Sequence, residues 1–233
     1  MKFYFTTILL CLVLCGVAFG QNSNGADEDY LTWNMKQVEA IGQKMRKNGK
    51  VGSRFSVRGI NTERAINYKL RATLMSSEMI RASARYQQLL GRLSNEETRK
   101  LVEEAENAAE LVVMVEIDPN EGSGVIPLDW RAIIQPKGLK EGEAGSITGR
   151  SVPSLKFVKA LNGVFKRKYD YDVFFVSFPL VGADGNALIA DDVSQIELIV
   201  GIYSREGTIE WSLPGSVREK MERLVKKGNE END

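Results

Sequence analysis

The sequence predicts an α+β protein. An N-terminal helical hairpin region, 28–110, precedes an antiparallel β-sandwich of general immunoglobulin-like architecture, 111–214, and a short C-terminal helix with an acidic tail, 215–233. Three observations predict it. Apolar residues recur at three- and four-residue steps as far as Leu93, the period drops to two from Leu111, and turn-forming residues then punctuate short alternating runs up to Pro214.

Ahead of these elements, residues 1–20 read as an export signal. Lys2 is the only charge before Asp27, an apolar run follows from Phe3 to Leu14, and Ala18-Phe19-Gly20 is a small-residue exit. Cleavage is expected after Gly20, with 21–27 a flexible polar linker. The apolar run is shorter than the roughly 20 residues a membrane-spanning helix needs, so no transmembrane segment is expected after signal removal. A lipoprotein anchored through Cys15 is the rival reading; Leu14 argues against it, because a small residue normally precedes the modified cysteine. Cys11 and Cys15 both fall in the signal, so a cysteine-free and histidine-free mature chain is expected, held by its own core and not by disulfides. No Asn-X-Ser/Thr sequon occurs, which favours a bacterial periplasm or cell exterior over a eukaryotic secretory route.

The first helix is expected from about Glu28 to Lys47, with Leu31, Met35, Val38 and Met45 on one stripe and Gly49 just past its end. A second helix is expected from Asn61 to about Leu90. Ala65, Tyr68, Ala72, Met75, Met79, Ala82, Tyr86, Leu89 and Leu93 form a heptad-like seam along it. Such a seam calls for a partner. Ser94-Asn95-Glu96-Glu97 is a capping-box start for a third helix, with Leu101, Ala105, Ala108 and Val112 on its apolar face. Antiparallel packing of the second and third helices is expected, with self-association through the seam as the alternative.

Leu111, Val113, Val115 and Ile117 then alternate with Val112, Met114 and Glu116 as a first strand. Leu128, Trp130, Ala132 and Ile134 give a second, ended by Pro136-Lys137-Gly138, and Ser146-Ile147-Thr148 suits a short third. Tyr171 to Leu180 is apolar on both faces and reads as a central strand. Ala183-Asp184-Gly185-Asn186 is a hairpin turn leading to a short strand at 187–190. Ile196, Leu198, Val200 and Ile202, a turn at Ser204-Arg205-Glu206-Gly207, and Ile209, Trp211 and Leu213 form a clear hairpin. Ser216 is expected to cap a last helix bearing Val217, Met221, Leu224 and Val225, with Gly228 to Asp233 a frayed tail. The cysteine pair of true immunoglobulin domains is absent, so that likeness is architectural.

Chemistry is narrowed by subtraction. Without histidine or mature cysteine there is no Ser-His-Asp triad, imidazole base, thiol nucleophile or thiolate metal site. Ser-X-X-Lys, Walker A and GxGxxG motifs do not occur, and Ser154 with Lys156 reads as an ordinary surface pair before a catalytic dyad. Asp118, Asp129, Asp170, Asp172, Asp184, Asp191 and Asp192 sit at expected strand ends, where aspartate suits turns. Asp118 to Gly122 is similar to a calcium loop, but its glycine is one place early for an EF-hand and Asp129 stands at position twelve. No catalytic, cofactor-binding or metal-ligating residue is singled out.

Charge balances at 31 basic and 31 acidic residues, and nothing in it suggests a nucleic-acid binder. One stretch departs from balance: Lys44, Arg46, Lys47, Lys50, Arg54 and Arg58 occur with no acid between Glu39 and Glu63. It suits an anionic envelope surface or an acidic partner. The plainer reading is a solvated helix end whose cations complement the helix dipole. Tyr169 and Tyr171 are the aromatics expected at the surface, the others being core. These eight residues are the candidate contact positions. The expected function is a secreted or periplasmic, non-enzymatic binding or scaffold protein of the cell envelope acting through protein–protein contacts; the alternative is a carboxylate-dependent hydrolase or a carbohydrate-binding protein on a β-sandwich.

Overall fold

A computed structural model describes residues 30–52, 68–119, 129–139, 145–151, 172–182, 186–202 and 205–230. Among them a 3-10 turn at Tyr30–Thr32 leads into α1 (Met35–Asn48), β1 (Tyr68–Leu74), α2 (Ser77–Leu89), α3 (Asn95–Asn107) and β2 (Glu110–Pro119). Then come β3 (Arg131–Pro136), β4 (Ile147–Thr148), β5 (Arg150–Ser151), β6 (Asp172–Pro179), β7 (Gln195–Ile202), β8 (Arg205–Ser212) and α4 (Gly215–Glu230). The protein is mixed α+β. No described helix is long and apolar enough to cross a membrane.

The strands form two antiparallel sheets, ordered β1-β2-β6-β5 and β4-β3-β7-β8. Strand alternation builds the core between them. Leu70, Ala72 and Leu74 face inward beside Ile117, Val115 and Val113, their register partners. Val176 and Phe178 continue that face, and Ala132, Ile134, Ile196, Leu198, Val200, Ile202 and Ile209 meet it from the second sheet. Each such large apolar side chain contributes on the order of 1.5–3 kcal/mol by leaving water. The opposite face of the first sheet presents Met114 and Phe175, with Val112 and Val173, to Val38, Met79, Ile80, Ala82, Val102 and Ala105 of the helices. Strands β2 and β6 are therefore covered on both sides. That is why 111–117 and 173–178 read as nearly unbroken apolar runs.

The sheets are joined along both edges. On one side the chain after α1 runs beside β1, with Ala72 N donating to Gly49 O at 2.8 Å and Val51 N to Leu70 O at 3.1 Å. Gly52 N then reaches Thr208 O of β8 at 2.9 Å. On the other side the chain passes from β4 in one sheet to β5 in the other at Gly149, whose N–H donates to Ala132 O at 2.8 Å. Glycine is required at both crossings by close approach: a Cβ on Gly49 would lie 2.3 Å from Ala72 O, and one on Gly149 2.3 Å from Val176 Cγ1 and 2.7 Å from Phe178 Cε1. Between β3 and β4, buried Gln135 braces the loop by donating to Glu197 Oε1 at 2.8 Å and to the Leu139 carbonyl, and by accepting from Ser146 Oγ at 3.1 Å.

Several sequence expectations are corrected. The second helix does not run from Asn61 to Leu90: residues 68–74 are β1, and α2 starts only at Ser77, capped by Ser76, whose Oγ accepts from Met79 N at 3.3 Å. Leu70, Ala72 and Leu74 also fit a strand, and pairing with β2 gives them a buried partner that a lone helix turn lacks. The seam is thus no continuous stripe open to a second copy. Ala72 is in the sheet core, and Met79 and Ala82 are fully buried under the helices. The hairpin of α2 and α3 does form and is antiparallel: Arg81 meets Glu106, while Gln88 at the other end meets Asn95. The Ser94/Glu97 capping box is present, with Ser94 N donating to Glu97 Oε2 at 2.7 Å and Glu97 N to Ser94 Oγ at 3.2 Å.

Helix α1 begins at Met35, because Asn34 supplies a capping box with Gln37. Ser216 lies within the first turn of α4 and is not its cap; the Pro214 carbonyl accepts from Val217 N and Arg218 N. That helix continues to Glu230, so 228–230 are not frayed. The expected strand at 187–190 is reduced to one bridge, Val181 to Ala187. The chain is also not cysteine-free, since it holds Cys11 and Cys15. Both cysteines and the expected signal lie outside the described residues, as do Asn61, the 120–124 and 183–185 turns, Ser154, Lys156 and Asp170.

Candidate functional site: a basic patch at the end of α1

The patch is built where α1 ends against the first sheet. Arg46 and Lys47 occupy the last turn of α1, where cations complement the carbonyl end of the helix. Directly beneath, β2 carries Glu116, 2% exposed. Arg46 Nε lies 3.4 Å from Glu116 Oε2 and Nη2 3.3 Å from Oε1, the second contact having ion-pair distance without hydrogen-bond geometry. Arg71 stands opposite Glu116 in the β1–β2 register, and its Nη1 donates to the Arg46 carbonyl at 3.1 Å. Two arginines therefore fix the helix end to the sheet around one buried carboxylate.

Around that anchor the cations are exposed. Lys50 bridges to Arg71 across the edge of β1. Lys69, two residues along from Arg71 on the same face of β1, stands opposite half-buried Asp118. Lys44 and Lys47 project from α1 one helical step apart, and all four lysines are exposed. Among the described residues Arg46, Lys50, Lys69 and Arg71 come together around Glu116 and Asp118, with exposed Lys47 beside them in the last turn of α1 and Lys44 further round the helix. Mobile amines over a fixed arginine pair suit electrostatic capture of carboxylates or phosphates.

Of the candidates from sequence, Arg46, Lys47 and Lys50 fall at this end of α1, with Arg46 engaged by Glu116 and both lysines exposed, while Lys44 is exposed on the other side of the helix from Arg46. Arg54, Arg58, Tyr169 and Tyr171 lie outside the described residues. Sequence reasoning missed Lys69 and Arg71 because it placed them on a helix. Their alternation with Leu70 and Ala72 was the signal that could have found them.

Elsewhere, Asp129, Asp191 and Asp192 are exposed, and among the described residues no three Asp, Glu, Cys or His side chains gather as a metal-binding group. Phe175 and Phe178 are core residues, and half-buried Trp130 packs edge-on against Phe174 with ring centroids 5.1 Å apart. No protein-family profile, curated protein sequence or solved structure matches this chain.

Proposed function

We propose that this is an exported, non-enzymatic binding or scaffold protein of the cell envelope, acting through protein–protein contacts, with the basic patch as its contact surface for an acidic segment of a partner. The observation that supports this reading is the convergence of cations from α1, the 49–52 crossing and β1, where among the described residues Glu116 and Asp118 stand opposite Arg71 and Lys69. Glu116 is consumed in holding Arg46, which leaves the exposed lysines facing solvent rather than the sheet. The export signal read at residues 1–20 supports the location. The two sheets on one core support a sandwich of general immunoglobulin-like architecture, modified by the helical layer and the closed edges.

The test uses poly-L-glutamate as the acidic probe and anionic phosphatidylglycerol vesicles as the rival surface. Binding to poly-L-glutamate that weakens with salt, and falls about tenfold or more in a K44E/K47E/K50E/K69E variant, supports the proposal. Binding to vesicles alone replaces the protein partner with a lipid surface. No binding to either contradicts the patch as a contact site.

A further inference from the structure

We draw no further inference here: the strongest candidate, the face of the second sheet turned away from the core, where Ile133 and Ile199 are register partners and only 5% and 8% exposed, carries nothing because nothing among the described residues shows what covers it.

Discussion

Arg46 and Glu116, 70 residues apart in sequence, form an ion pair at 3.3 Å that fastens the end of α1 to the middle of the first sheet. The carboxylate is 2% exposed and the guanidinium is only partly exposed, so the pair is largely removed from solvent. Removing one partner leaves a buried charge, whose cost exceeds that of a surface pair.

Arg46→Ala is therefore expected to destabilise the protein by about 3–5 kcal/mol. Arg150→Ala, which breaks the exposed pair with Glu110, is expected to cost under about 1 kcal/mol. Urea unfolding of the two variants checks the contrast, and equal losses would show that Glu116 is not dependent on Arg46.

Gly149 is the point at which the chain changes sheets, and any Cβ there lands on Val176 and Phe178. Gly149→Ala is expected to cost at least about 1–3 kcal/mol through overpacking. Gly215→Ala, where nothing lies within 4 Å of the new atom, is the control and should be close to neutral. Thermal melts of the pair report the difference.

Lys220, half-buried on α4 with its Nζ donating to the Glu110 carbonyl at 3.3 Å, makes stability depend on pH. Burial first and the like charge of Arg223 second lower its folded-state pKa to about 8, with Glu106 and Glu110 pulling the other way. That lies below the ordinary lysine value, so between those values the unfolded chain binds more protons than the folded one. Stability then rises as pH climbs from about 8 toward 10.4, by at most about 3 kcal/mol. Below that window the unfavourable charge is present in full. Lys220→Met should be more stable than the parent at neutral pH and lack this rise, as read from urea titrations along the pH series.

Much of the fold was legible in residues that obey one period. Ile196 to Ile202 and Ile209 to Leu213 alternate without ambiguity, and they form the β7–β8 hairpin. Ser94 and Glu97 announce α3 through chemistry that has few other uses. Tyr68 to Leu74 was not legible, because Ala72, Met75 and Met79 satisfy helical spacing as well as Leu70, Ala72 and Leu74 satisfy strand spacing. What decides between them is an edge of β2 some forty residues away. The same ambiguity hid half of the basic patch. The run from Lys44 to Lys50 was visible as a local excess of charge, while Lys69 and Arg71 join it only through strand pairing. The surroundings of Lys220 left no sequence signal, since they need α3, β2 and α4 assembled together.

Lys69 offers the most direct test of a basic contact surface, because the fold alone places it there. Poly-L-glutamate binding is compared for Lys69→Glu, Lys50→Glu and Lys36→Glu, the last an exposed lysine at the opposite end of α1. The expected result is that K69E weakens binding as much as K50E, each by about threefold to tenfold at low salt, while K36E is nearly silent. Equal effects at all three positions, or none at Lys69, would contradict a localised patch.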